Sequence, residues 1–346
     1  MMQFLEYSQK IEELLKAEKK LIVYHRDIDG TTSAALFLKF LSSPAIPLEY
    51  DDIEEGVIRR IIQEEPEVVV ILDMAIDQYG QEVKKLEKSC RVVIIDHHVI
   101  TKNLNSKKTL HINPRFENQA AYLPSSYLVY HLLKKMGKPV KPYAWIAAIG
   151  VIGDYAFREG KDILEEAKKI DSSLLQGEPR ASRLGEGGNL ISAAISAAGK
   201  KGAEKALQAL VRAEVFEDFE SEKQLQLWKR TIEEEIKNVV KNFGKEKEYY
   251  PEKRCAFLEL VSRYSLISDV STLLAERYPD QTIVIRHRGK GGWKLSLRNQ
   301  SGGVDLNQLV RKASQGIGTG GGHEKAAGGF VTDWEKFKKR FLELLK

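Results

Sequence analysis

Cysteine is nearly absent: the 346-residue chain has two, Cys90 and Cys255. So few, and so far apart, they exclude a disulfide framework and a thiolate metal site, and they read as buried filler, Cys90 ahead of one strand and Cys255 within another. No apolar run approaches the ~20 residues needed to span a bilayer. The amino terminus, "MMQFLEYSQKIEELLK", lacks the basic start and apolar core of a secretory leader and reads as an amphipathic helix. These absences predict a cytoplasmic protein with no membrane association. Internal repeats and low-complexity tracts are also missing. What remains is ordinary globular composition, 42% apolar and 30% charged, at a length that accommodates two domains. The abundance of Lys, Glu and Arg resembles that of a heat-adapted protein.

An even spread of charge is lacking too. The net charge is +5, yet residues 281–326 carry eight Lys or Arg against two acids, Asp305 and Glu324. Acids gather in the amino-terminal half, as in "YDDIEE" and "QEEPE". A basic carboxyl-terminal module suits a polyanionic partner such as nucleic acid, although basic surface faces without a ligand are common.

Apolar runs at 21–25, 68–73 and 92–98 alternate with helical stretches at 31–42, 53–64 and 78–89, and "LEYDD" at 48–52 reads as a fourth strand. Continuous β-branched runs separated by helices predict an α/β domain with a doubly wound parallel sheet covered on both faces. Helical segments dominate from about 118 to 243. Across 221–243 the residues Leu225, Trp228, Ile232 and Ile236 form one apolar stripe, which predicts a connecting helix. After the break at "GKEKEYYPEK", a smaller α/β module is expected, with strands at 255–260, 282–288 and 292–298 and a glycine-rich loop, "GIGTGGGHEKAAGG".

The chemistry-bearing residues cluster where strands end. "LIVYH" runs into His25, Asp27 and Asp29, "VVVILD" ends in Asp73, and "VVIIDHH" ends in Asp96, His97 and His98. If residues 25–29 stay extended, His25, Asp27 and Asp29 share one side of the chain. Taken alone, the first stretch also fits an ordinary turn with a capped helix. In a parallel sheet, however, all three strand ends lie along one edge, where ligands bind. Asp154, in "GVIGDYAF", is a further candidate. Crowded carboxylates call for a proton, a basic partner or a cation, and a mixed nitrogen and oxygen set suits Mn²⁺ or Mg²⁺. In the second module Gly320, Gly321 and Gly322 permit close backbone approach to a phosphate, with His323 as a donor.

The motifs "HRDIDGTTSAA", "ILDMAID", "IIDHH", "VIGDYAF" and "WKLSLR" followed by "GTGGGHEKAAGG" resemble, in order and spacing, the DHH phosphoesterases that carry a carboxyl-terminal DHHA1 domain. The resemblance implies a DHH metal domain over 1–195, a helical linker over 196–248 and a DHHA1 substrate-binding domain over 249–346. It also implies two Mn²⁺ or Mg²⁺ ions per active site. His25 and Asp27 would hold one and Asp29, His97 and Asp154 the other, with Asp73 bridging them. Asp96 would orient a metal ligand, and His98 would face the scissile phosphate, the two being the implied catalytic residues. Arg298 matches the arginine that grips phosphate in the family, and Arg286, His287 and Arg288 are further candidates. Ser125 and Ser126, in "NPRFENQAAYLPSSY", would meet the substrate or cap a helix. The activity implied is RecJ-like exonuclease action on single-stranded DNA or RNA. Alternatives are a nanoRNase, a small-nucleotide or cyclic-dinucleotide phosphoesterase, or a replisome scaffold, and a helicase or replisome component is an implied partner.

Overall fold

A computed structural model describes residues 2–54 and 56–345. The chain divides into two compact units, Met1–Lys229 and Arg230–Lys346.

The first unit begins with α1 (Met2–Leu14), β1 (Lys20–His25), α2 (Ile28–Leu38), β2 (Ala45–Leu48), α3 (Tyr50–Glu54), α4 (Val57–Gln63) and β3 (Val68–Leu72). A single 3₁₀ turn, Ile76–Tyr79, leads to α5 (Gly80–Ser89), β4 (Arg91–Ile95), β5 (Thr109–Ile112), α6 (Ser125–Lys135) and α7 (Ala144–Gly153). Then follow α8 (Lys161–Ile170), α9 (Arg183–Ala198), α10 (Lys200–Arg212), α11 (Phe216–Glu220) and α12 (Lys223–Glu246), the last of which runs across the division between the units. The strands lie in the order β2-β1-β3-β4-β5, all parallel.

Strand alternation sends Ile22, Tyr24, Val70, Leu72, Val93 and Ile95 to one face, against α2, α6 and α7. Leu21, Val23, Val69, Ile71, Val92 and Ile94 go to the other, against Ile53, Ile58, Ile61 and Leu86 of α3 to α5. Covering both faces is what continuous apolar strands require, so the expected doubly wound architecture is present. Leu207, Leu210, Phe216, Phe219 and Leu225, beyond residue 196, also lie in this core.

The "LEYDD" strand is not formed. The edge strand is instead Ala45–Leu48, where Pro47 is tolerated, and Asp51 and Asp52 stand in the first turn of a helix, which favours carboxylates. The helix expected over 53–64 is divided at Gly56, whose φ of 87° is left-handed; Glu55 lies outside the described residues. β5 is an addition to the expected strands, since four residues of "TLHI" carry too little pattern.

The second unit contains β6 (Glu248–Tyr250), β7 (Cys255–Leu260), α13 (Ile267–Arg277), β8 (Thr282–Gly289), β9 (Gly292–Arg298), α14 (Leu306–Ser314), β10 (Gly318–Gly322), β11 (Ala326–Val331) and α15 (Trp334–Leu344). They form a sheet in the order β10-β11-β9-β8-β7-β6. Its core joins Phe257, Val284, Leu295 and Leu297 to Val310, Phe337 and Phe341. The expected glycine-rich loop is a β-hairpin: Gly320 pairs with Gly329 and Gly322 with Ala327, closed by the bond from His323 N to Ala326 O at 2.7 Å. Among the described residues, no helix is long and apolar enough to cross a membrane.

Candidate metal centre

The carboxyl ends of β1, β3 and β4 bring His25, Asp73 and the run Asp96, His97 and His98 to one edge of the first sheet. The mechanism at residues 25–29 is not the extended alternation expected. β1 stops at His25, Asp27 caps α2 by accepting from Gly30 N at 2.8 Å, and Asp29 stands in the helix's first turn. Gly30 is required, because a Cβ there would lie 2.2 Å from His25 O. A strand end, a cap and a helical turn thus converge where a straight strand would have pointed.

Ligand atoms gather in three overlapping groups, each within 4.8 Å: His25, Asp27 and Asp73; Asp29, His97 and Asp154; and Asp73, His97 and His98. His25 Nδ1 is 2.8 Å from Asp27 Oδ2 and 3.8 Å from Asp73 Oδ2. His97 Nε2 is 3.3 Å from Asp73 Oδ1 and 3.1 Å from Asp154 Oδ2. Asp29 and Asp73 are each only 1% exposed. Asp73 has φ 61° and Tyr155, next to Asp154, φ 59°. Both are left-handed conformations that non-glycine residues adopt at a cost, one at a candidate ligand and the other directly after one.

Three side chains hold the histidine run. Asp96 Oδ1 is 2.7 Å from His98 Nδ1, so Asp96 orients His98. Asn113 Nδ2 donates to Asp96 Oδ2 and His98 O, and Arg115 Nε donates to His97 O at 2.8 Å. Ser125 and Ser126 act through their backbone: their N–H groups, at the start of α6, donate to the two oxygens of Asp29 at 2.6 and 3.0 Å. Ser125 Oγ also donates to Asp73 Oδ1 at 3.1 Å. Ser126 is fully buried, so it is not placed to meet a substrate, and neither serine side chain caps the helix.

The electrostatics call for a cation. Burial, then the charges of Asp27 and Asp29, push the Asp73 carboxyl far above its ordinary range. Burial and Asp29 push Asp154 up to about 8. Burial also works against charge on His25 and Asp27, but their mutual attraction outweighs it, raising the imidazole and holding Asp27 down at about 2. Asp73 Oδ2, buried, has no hydrogen-bond partner among the described residues. An orphaned carboxylate oxygen among imidazoles and further carboxylates fits Mn²⁺ or Mg²⁺.

A pH dependence follows. The raised carboxyl of Asp154 takes up protons on folding, so its contribution to the metal-free protein's stability falls as pH rises from about 4 to about 8. A cation must displace that proton, which strengthens binding by about tenfold per pH unit for each proton released. The Mn²⁺-induced rise in melting temperature, against a chelator control, should therefore grow between pH 6 and 8; a shift that shrinks over this range would refute the assignment.

In the second unit, Arg298 ends β9 opposite Ala326, beside the glycine hairpin, and donates to Thr272 Oγ1 and Leu297 O. A Cβ on Gly320 would meet Val310 at 2.7 Å and one on Gly322 the Ala326 carbonyl at 2.5 Å, so packing already demands both; Gly321 has room. His323 is exposed at the hairpin turn. Arg286 is not brought to this group. It alternates to the opposite sheet face, lies between the rings of Trp293 and Trp334, and pairs with Glu259 at 2.6 Å.

Comparison with family models matches residues 19–151 to the DHH family, N-terminal domain, and residues 262–346 to the DHHA1 domain. The chain is a DHH-family protein with a carboxyl-terminal DHHA1 domain. Its fold resembles that of RecJ from Thermus thermophilus, solved with Mn²⁺, at a TM-score of 0.75 and 18% identity over 98% of this chain and 54% of the other. The DHH–DHHA1 chain thus spans about half the length of that RecJ. Exonuclease RecJ bound to manganese aligns at 0.67 and 20% identity, covering 98% of this chain and 93% of the other. CDC45 from Entamoeba histolytica aligns at 0.60 and 11%, covering 98% of each. No curated protein matches.

Sequence reasoning missed several residues of the DHH domain's site. Tyr122 OH donates to Asp154 O at 3.0 Å and its ring lies 5.4 Å from that of His97. Glu49, Asn113 and Arg115 also escaped. Three of the four fall within the segment 113–127, whose motif likeness is the available signal; Glu49 has none, because the run at 48–52 has the pattern of a strand.

Proposed function

We propose that this DHH–DHHA1 protein is a Mn²⁺- or Mg²⁺-dependent phosphodiesterase that hydrolyses single-stranded nucleic acid, DNA or RNA, from an end. The observation that supports the reading is the gathering of candidate ligand groups around Asp73 at one sheet edge. His25 and Asp27 are assigned to one ion and Asp29, His97 and Asp154 to the other, with Asp73 shared. Bound divalent ions supply Lewis-acid activation of the phosphoryl group and of a water nucleophile. The protein's part is placement. Ser125 and Ser126 N–H groups fix the Asp29 carboxylate, Tyr122 fixes Asp154, and Asp96 takes His98 Nδ1 so that His98 Nε2 is the atom offered to the phosphate. In the DHHA1 unit, Arg298, the backbone at Gly320, Gly321 and Gly322, and His323 are assigned to neighbouring phosphates.

Digestion of end-labelled single-stranded DNA and RNA of graded lengths, with Mn²⁺ and with chelator, tests this. Stepwise shortening of long strands supports it. Hydrolysis confined to the shortest oligonucleotides or to nucleotides would favour the nanoRNase or small-nucleotide reading, and metal-independent binding without hydrolysis would favour a scaffold. Docking on a replisome component draws only on the fold shared with CDC45.

Phosphate recognition in the DHHA1 unit makes a separate prediction. Arg298→Ala and His323→Ala should each weaken single-strand binding by about tenfold and flatten the slope of log K against log salt by about 0.7 for each phosphate no longer neutralised. Metal content should stay at the wild-type level. Tight binding retained while the metal is depleted would place these residues elsewhere in the mechanism.

A further inference from the structure

A residue outside every motif stands behind the first metal ligand. The β1–β2 register pairs His25 with Leu48, and Arg26 N donates to Leu48 O at 3.0 Å, which sets Glu49 beside the His25 ring. The two ring nitrogens face different ways: Nδ1 looks toward Asp27 and Asp73, while Nε2 looks at Glu49 Oε2, 3.6 Å away. That gap is a few tenths of an ångström beyond hydrogen-bond contact. Arg26 occupies the other oxygen twice, with Nε and Nη2 both 3.0 Å from Glu49 Oε1, which leaves Oε2 for the imidazole. The backbone is held as firmly, since Asp52 Oδ2 accepts from Glu49 N at 2.8 Å and Lys200 holds the other Asp52 oxygen.

The groups set against the Glu49 carboxylate are thus both basic side chains, Arg26 on one oxygen and the His25 ring facing the other. Histidines that bind metal through one nitrogen characteristically donate the other N–H to a carboxylate, which fixes tautomer and ring orientation. We propose that Glu49 is a positioning residue for His25: it accepts the Nε2–H, keeps the Nδ1 lone pair turned toward the cation, and is itself locked by Arg26 and Asp52. This rests on the metal-centre reading above and adds a residue that neither motif nor spacing indicates.

The test uses full-length protein stripped of metal and titrated with Mn²⁺, with bound and free ion followed by electron paramagnetic resonance. Wild type should take two ions. Glu49→Ala should weaken one of them about 10- to 100-fold and leave the other within threefold, with the melting temperature of the metal-free protein close to wild type. Glu49→Gln, which keeps the shape and an accepting oxygen, should weaken the same ion by about three- to tenfold, and it substitutes for the alanine variant should that fail to fold. Unchanged affinity for both ions in either folded variant, or equal weakening of both, overturns the proposal. A wild type that holds a single ion would fault the two-ion reading instead. Glu49 is then judged by long-range ¹H–¹⁵N spectra of the Mg²⁺-loaded protein, where His25 protonated on Nε2 supports the role and protonation on Nδ1 overturns it.

Discussion

Asp73→Ala is expected to fold, to bind little or no Mn²⁺ and to lose hydrolysis by more than about 10⁴-fold at any metal concentration. Asp73 shares a ligand group with His25 and Asp27 and lies 3.3 Å from His97 of the other assigned set, so under the proposed shared-ligand arrangement its removal should disturb both ions at once, whereas His25→Ala removes one ligand and should recover part of its activity in excess Mn²⁺. Stability should move the other way. The buried Asp73 carboxyl is disfavoured by burial and by Asp27 and Asp29, and deleting it relieves that repulsion in the metal-free state. Some of the gain is offset because alanine must adopt a φ of 61°. Asp73→Asn, which tolerates that conformation better, should melt higher than wild type in chelator and be equally inactive. Near-normal turnover by Asp73→Ala, measured as kcat/KM on an end-labelled single strand, would sink the shared-ligand arrangement.

His98→Ala should lower kcat by about 10² to 10⁴ while metal content stays at the wild-type level, the range expected for loss of a group that moves or holds a proton in the transition state. Its ring is 37% exposed and tethered by Asp96, unlike the buried His97. Because Asp96 raises the His98 imidazole against the burial that opposes it, Asp96→Asn should draw the high-pH limb of the activity profile toward lower pH, with a smaller loss of kcat. Metal lost together with activity in His98→Ala would instead make His98 a ligand, in the group it forms with Asp73 and His97.

Legibility in the chain follows whatever local pattern decides. Three β-branched runs had to be buried strands of a parallel sheet, and residues just past such strands had to share an edge, so Asp73, His97 and the run at His25 are legible as one site. Less legible is whatever depends on tertiary partners. That Asp29 would be held by the amides of α6, 96 and 97 residues away, is a consequence of helix packing, which no window of sequence contains. Arg286 looks like Arg298 in a basic stretch, yet strand alternation sends the two to opposite faces of the sheet, and the register that decides this is not apparent from charge. Glu49 is hidden by an element boundary: acidic residues after a short edge strand begin a helix, and only then does its side chain turn toward His25.

The glycine hairpin of the DHHA1 unit has a thermodynamic side. Four of the five residues of β10 are glycine, and it lies at the margin of its sheet, bonded to β11 alone. Each glycine surrenders more backbone freedom on becoming ordered than any other residue, and with no side chain it recovers nothing through burial of its own. Holding this strand in place therefore draws on the rest of the unit, chiefly α14 beneath it and β11 beside it. An anion that bridges several of its amides would offset part of that entropy deficit, so affinity there reports the order of the strand as much as the strength of the contacts. The glycine-rich edge strand of the second sheet is thus the one to which phosphate recognition is assigned under the proposed function.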